Sequence, residues 1–364
     1  MARHRPEPVT PACYAMVHPG LEEVAADEVA RDLGGEVKRT APGLVVFRVG
    51  EIDPSLLELR TAEDVFLLAW GTDQLTHRAA DLDQIRRWTR GADWPALLRI
   101  HHAVRPKPKG RPTYRLIAQM EGHHAYLRRD ARKALAEGLL GKFPDSWRPA
   151  EENAAIEVWL TIDGSRAVCG VRLSDRTMRH RTYKLEHRPA SLRPTVAAAM
   201  VRLAEIKPRH VVLDPMCGAG TLLAEHLAAM GKVRAPVAPA LGGDLEFGAV
   251  RAAAGNLSRL GRAELFQWDA TRLPLGDASA DRVVSNPPFG KQLERPEAIG
   301  PLYERMVREH DRVLRPAGRA VLLASDQRSM RAAARAAGWV RERELRVRVL
   351  GQAAVISVWR KAGP

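Results

Sequence analysis

His210-Val211-Val212-Leu213-Asp214-Pro215-Met216-Cys217-Gly218-Ala219-Gly220-Thr221, running into Leu222-Leu223-Ala224-Glu225-His226-Leu227, decides how the C-terminal half of this 364-residue chain is read. The apolar, β-branched start predicts a buried strand, the glycines a tight turn, and the stretch from Thr221 a helix. Gly218 and Gly220 let the backbone pass close to a ligand, which the free N–H groups of the new helix then face. The spacing is not Gly-x-Gly-x-x-Gly, and no Gly-Lys-Ser or Gly-Lys-Thr follows, which disfavours dinucleotide and triphosphate binding. Downstream, the pattern predicts a helix over 302–314, a buried strand over 319–324, and a helix over 329–337 closed by Gly338. Two final strands, 342–349 and 353–359, turn about Gly351. Alternating strands and helices predict an α/β fold with a parallel sheet that ends in an antiparallel hairpin.

Further along the same half lies Ser285-Asn286-Pro287-Pro288-Phe289-Gly290, directly after the apolar run Asp281-Arg282-Val283-Val284. It suits methylation of an amino group on a nucleobase. An exocyclic amine conjugated to its ring is a poor nucleophile, so it must be held still with its lone pair exposed. The Asn286 side-chain oxygen and the Pro287 carbonyl can accept the two amine hydrogens and aim the nitrogen at an electrophilic methyl. Phe289 can stack on the base, and the two prolines stiffen the loop and remove two N–H donors. Lys291 and Gln292 follow at once and can contact guanine O6 or N7.

Composition points to a polyanionic partner. The net charge is +14 and the pI about 10.2. Arginine outnumbers lysine 47 to 10, a bias that a GC-rich genome also produces, so the distribution of charge is the better guide. Residues 101–150 carry 11 Lys/Arg against 4 Asp/Glu, and residues 171–195 carry 7 against 2. Arg105, Lys107, Lys109, Arg111, Arg128, Arg129 and Arg132 are the candidate phosphate contacts there, with Lys291 beside the catalytic loop. The three cysteines, 13, 169 and 217, form no Cys-x-x-Cys pair, so neither a disulfide framework nor a metal site is expected. Cys217 reads as a packing residue and not a nucleophile. The pairs His101-His102 and His123-His124 have no ligand spacing. Residues 1–11 are basic and Pro-rich without a signal-peptide core, and no run reaches membrane-spanning length, so the expected location is cytoplasmic.

The motif Asp-Pro-x-Cys-Gly-x-Gly-Thr resembles the S-adenosylmethionine loop of class I methyltransferases, and its order before the Asn-Pro-Pro-Phe loop strengthens the likeness. That resemblance implies a Rossmann-like sheet and a cofactor held by Asp214, Cys217, Gly218, Gly220 and Thr221, with Asn286 at its reactive end. It also implies that Asp244 accepts from the ribose hydroxyls, with Glu246 as its substitute, and that Asp269 accepts from the adenine amine.

The N-terminal half has α+β patterning, and the segments 126–140, 156–160, 170–173 and 181–184 resemble a THUMP domain. The block 187–200 resembles the entry to the catalytic domain of THUMP-containing RNA guanine-N2 methyltransferases. Before residue 110 only Pro19-Gly20-Leu21-Glu22 is similar to that family's ferredoxin-like domain. The implied domains are 1–60 ferredoxin-like, 61–178 THUMP, 179–193 linker and 194–364 methyltransferase. By resemblance, the Leu192-Arg193-Pro194-Thr195 segment closes over the cofactor's methionine end, Asn286, Pro287 and Phe289 hold the guanine, and the THUMP unit docks the tRNA 3′ end. The implied activity is N2-methylation of a guanosine in the tRNA acceptor stem, at position 6, and some relatives need a small activating subunit. Three alternatives stay open: a ribosomal RNA guanine-N2 methyltransferase, an adenine-N6 methyltransferase, and a THUMP RNA-binding protein with a dead catalytic domain.

Overall fold

The structure, a computed structural model, describes residues 11–106, 110–188, 191–231, 233–289 and 299–363. The chain divides into two units. One comprises the residues up to Met16 together with Ala26–Met178, and the other comprises Val17–Ala25 together with Arg179–Pro364.

The first unit holds, in chain order, β1 (Cys13–Val17), the part of α1 (Glu22–Leu33) from Ala26 onward, β2 (Glu36–Ala41), β3 (Leu44–Arg48), β4 (Ala62–Thr72), α2 (Asp81–Gly91) and α3 (Trp94–Val104). After these come β5 (Thr113–Glu121), α4 (Arg128–Gly138), β6 (Arg148–Pro149), β7 (Ile156–Asp163), β8 (Arg166–Arg172) and α5 (Arg176–His180). The strands form one eight-stranded sheet in the order β2-β3-β1-β4-β8-β7-β5-β6. β4, which follows residue 60, lies between β1 and β8 in this sheet. Tyr14 stacks on Phe66 with ring centroids 4.6 Å apart, and Phe66 meets Trp159 edge-on. Gly170 makes that packing possible, since a Cβ there would stand 2.3 Å from the Leu67 carbonyl oxygen. Half-buried on the sheet, Arg172 Nε donates to Asp64 Oδ1 at 2.7 Å and Nη1 to Glu157 Oε2 at 2.9 Å.

The second unit continues with α6 (Pro194–Leu203), β9 (Val212–Asp214), α7 (Thr221–Met230), β10 (Ala240–Asp244), α8 (Phe247–Leu257), β11 (Ala263–Gln267) and β12 (Ala280–Ser285). It ends with α9 (Ile299–Val313), β13 (Leu314–Ala324), α10 (Gln327–Ala336), β14 (Val340–Val349) and β15 (Gln352–Arg360). The sheet order is β11-β10-β9-β12-β13-β15-β14. The first five strands are parallel, β15 runs antiparallel to β13, and β14 antiparallel to β15. The strand order reverses between β9 and β12, so the crevice outside their carboxyl ends is where an open α/β sheet binds ligands. Leu21 and Val24, from the short N-terminal piece, are buried in one apolar cluster with Val196, Met200, Val347 and Ile356.

Candidate active site

The loop after β9 is sewn to the end of β10. Gly218 N donates to Asp244 Oδ2 at 3.0 Å, and Cys217 N to the Gly243 carbonyl at 2.9 Å. Gly218 and Gly220 both have positive φ, +54° and +75°, which L side chains seldom adopt. Trp268 braces the loop from below, its indole Nε1 donating to the Pro215 carbonyl at 3.0 Å. A Cβ on Gly243 would stand 2.4 Å from that indole, and one on Gly242 2.4 Å from Leu223 Cδ1. The two glycines that weaken the strand signal of β10 are therefore required by the side chains packed on them.

Asp244 lines the cleft but is partly engaged, since its other oxygen accepts from Glu246 N at 3.0 Å. Glu246 also lines the cleft and is ion-paired with Arg188. Asp269 lines it too, and its Oδ1 accepts from Thr271 N and Oγ1, each at 2.8 Å. These carboxylates, the Gly218 turn and the N-terminus of α7 surround a space of about 500 Å³, within the range of small-molecule sites. Three carboxylates around a glycine-rich loop fit a cationic ligand with hydroxyl and amine donors, so the residues present suit S-adenosylmethionine. When bound, that cofactor supplies the electrophilic methyl group.

On the opposite wall, Ser285 Oγ donates to Asp214 Oδ1 at 3.1 Å, tying the end of β12 to the end of β9. The next residue, Asn286, lines the cleft. Its Oδ1 is buried and has no hydrogen-bond partner among the described residues. The Pro288 carbonyl accepts from the buried Tyr303 hydroxyl of α9 at 3.2 Å, which fixes the loop. Pro287 is buried. Phe289 departs from expectation: it is 3% exposed and packs in the apolar cluster with Leu192 and Val196, so its ring is a core contact and not an open stacking face. Lys291 and Gln292 lie outside the described residues.

Pro194 and Thr195 also differ from expectation. Both are buried at the start of α6, whereas Leu192 of the same segment lines the cleft together with Arg188 and Ser191. Two buried polar residues that the sequence reading passed over hold this connector. Glu225 of α7 accepts from Tyr183 Oη at 2.7 Å and from Arg181 Nε at 3.1 Å. Asn256 of α8 accepts from Leu185 N and Glu186 N, both at 2.8 Å, and donates to the Glu186 and Ala219 carbonyls. Its amide thus bolts the connector to the cofactor loop. Lys184 Nζ adds a bond to the Leu192 carbonyl at 2.9 Å.

Burial pushes the Asp214 carboxyl up to about 7, against the opposing bonds from Ser285 and Met216 N. Cys217 is 6% exposed, and burial pushes its thiol well up, as a packing role requires. Among the described residues no cluster of three or more His, Cys, Asp or Glu could hold a metal ion, and no helix is long and apolar enough to cross a membrane.

In the first unit, Arg111, Arg128, Arg129 and Arg132 are exposed, Arg128, Arg129 and Arg132 being on α4. Arg105 is a correction: its Nε donates to the Leu173 carbonyl at 2.6 Å and its Nη2 to Asp175 at 2.9 Å, so it clamps the end of α3 to the segment after β8. Lys107 and Lys109 lie outside the described residues.

Comparison with known proteins agrees with this geometry. The RMKL-like methyltransferase domain family matches residues 181–354. The chain is 31% identical over 317 residues to a tRNA (guanine(6)-N2)-methyltransferase of Thermus thermophilus, covering 85% of this chain and 88% of that one. It is 30% identical to the U6 snRNA (guanine-N(2))-methyltransferase THUMPD2 of Bos taurus, over 77% of this chain but 54% of that longer protein. The crystal structure of TrmN from Thermus thermophilus superposes with a TM-score of 0.78 at 26% identity, covering 96% of this chain and 99% of that one. On that near full-length match to the Thermus protein, the chain belongs to the S-adenosylmethionine-dependent RNA guanine-N2 methyltransferase family.

Proposed function

We propose that this protein transfers a methyl group from S-adenosylmethionine to the exocyclic N2 of a guanosine in tRNA, at acceptor-stem position 6 as in the name of its Thermus relative. The observation that carries the reading is the Asn286 Oδ1 acceptor, buried at the cofactor cleft with no donor among the described residues. A guanine N2 amine supplies that donor. With one N–H held by Asn286, the nitrogen lone pair is turned toward the methyl, and substitution proceeds in line at the sulfonium carbon. Methylation makes the nitrogen acidic, so its proton leaves afterwards to Asn286 or solvent and no strong base is needed. A guanine in a stem must first be flipped out of the stack. Residues 61–178 are proposed as the THUMP-type domain that docks the tRNA 3′ end, with Arg111, Arg128, Arg129 and Arg132 on phosphates.

The test is mass spectrometry of nucleosides from unmodified tRNA transcripts incubated with the protein and S-adenosylmethionine, beside Asn286→Ala. N2-methylguanosine formed only by the intact protein supports the reading. A U6 snRNA transcript belongs in the same assay because of the THUMPD2 relative. Methylation of that RNA, or of ribosomal RNA, in place of tRNA would overturn the tRNA assignment while keeping the chemistry.

A further inference from the structure

A second pocket, of about 530 Å³, opens on the second unit and belongs to no part of the cofactor cleft. Its position follows from sheet register. Ser285 of β12 lies beside Leu322 of β13, Ala324 beside Val355 of β15, and Val347 of β14 beside Ala354. Ser325, Val355 and Val347, which line the pocket, therefore sit on the same rim as Asn286. At ~4.8 Å between strands, the pocket begins about 5 Å and ends about 15 Å along the rim from the strand that carries the catalytic loop. Val347 and Ala354 also share an apolar cluster with Phe289.

The lining combines three chemistries. Val347, Ala354 and Val355 give an apolar floor. Gln327 contributes an amide whose Nε2 is taken by the Ala324 carbonyl at 2.6 Å, while its buried Oε1 has no partner among the described residues. Arg346 and Arg348 are exposed at the mouth. On the same strand Arg341 is paired with Glu344 and Arg343 with Glu23, whereas Arg346 has no carboxylate partner among the described residues. The far wall is the His18-Pro19-Gly20 turn, held so close that a Cβ on Gly20 would stand 2.0 Å from the Arg346 carbonyl oxygen. Gly20 has φ +95°, so that turn is fitted to β14.

An apolar floor, one buried acceptor and two cationic forks together match a nucleotide: a base on the floor, its N–H on Gln327, its phosphate on the arginines. We propose that this pocket holds a nucleotide flanking the target guanosine in the bound RNA strand. The proposal rests on the RNA methyltransferase reading above and extends it to a specificity subsite.

Initial rates against RNA concentration, at several salt concentrations, test it for the intact protein, the double variant Arg346→Ala/Arg348→Ala, and Gln327→Leu. The double variant should raise KM for RNA on the order of 10-fold and lower the salt slope by about one, as loss of one or two single-strand phosphate contacts does. Gln327→Leu should raise KM with the slope unchanged. Both should keep kcat at saturating RNA and keep S-adenosylmethionine binding, which also reports that they fold. Unchanged KM and slope in the double variant, with the intact protein active, overturns the subsite alone. A KM effect confined to the arginine variant overturns the nucleotide assignment. An intact protein that methylates no RNA removes the functional reading and the subsite together.

Discussion

With its carboxyl pushed up to about 7, Asp214 is mostly protonated below that pH and charged above it. A free aspartate titrates near ~3.9, so between about 4 and 7 the folded protein binds more protons than the unfolded chain, and this residue's contribution to stability falls as pH rises through that window. Denaturant melts of the ligand-free protein at pH 5 and pH 8 should therefore show Asp214→Asn gaining stability relative to the native residue at the higher pH. Cofactor affinity should move the other way. A cationic ligand prefers the charged carboxylate, so the Kd for S-adenosylmethionine should tighten as pH rises through 7 and flatten in Asp214→Asn. Ser285→Ala removes a bond that holds the carboxyl down, and calorimetric titrations should place its midpoint higher. His310 has the opposite sign: it is fully buried, and burial lowers its imidazole to about 4. Its contribution is lost as pH falls from about 6.5 toward 4, so His310→Leu should flatten the acid limb of the stability profile.

At the scale of the element, β10 is the instructive case. Its Leu241-Gly242-Gly243-Asp244 sequence has little strand propensity, because α7 on one side and Trp268 on the other occupy the space that side chains would fill. Gly243→Ala should cost about 1–3 kcal/mol in unfolding experiments, as overpacking does. It should also weaken cofactor binding by freeing Pro215 from the Trp268 indole, which isothermal titration checks. In the first unit, Arg172→Met leaves Asp64 buried without its cation and should destabilise by about 3–5 kcal/mol. The glycine turn, the parallel strands and the terminal hairpin were legible because each depends on local pattern. Phe289, Pro194 and Arg105 were assigned to ligands, and the structure gives each to packing or to a clamp, since the partners that claim them are distant in sequence. Glu225, Asn256, Trp268 and Tyr303 carry no motif; only the backbone groups and side chains they meet reveal them. The sequence pattern likewise assigns no strand or helix between residues 50 and 112, where β4, α2 and α3 lie.

At the scale of the molecule, the second unit is assembled from two separated pieces of chain. Leu21 and Val24 are 0% and 2% exposed within its core, and Glu23 pairs with Arg343 across 320 residues of sequence. A polypeptide beginning at Arg179 lacks both apolar side chains. Removing each corresponds to a large-to-small core change of about 2–5 kcal/mol, so thermal melts should show that polypeptide less stable than the same one supplied with residues 17–25 as a peptide. The turn fitted against β14 also imposes a schedule on synthesis. Residues 17–25 leave the ribosome well before the strand they close on is made. At ~5–20 residues per second the gap of 320 residues lasts roughly 16–64 s. For that interval Leu21 and Val24 lack the surface that shelters them, so a nascent chain has a timed vulnerability to proteases and a use for chaperones that a catalytic unit continuous in sequence would escape.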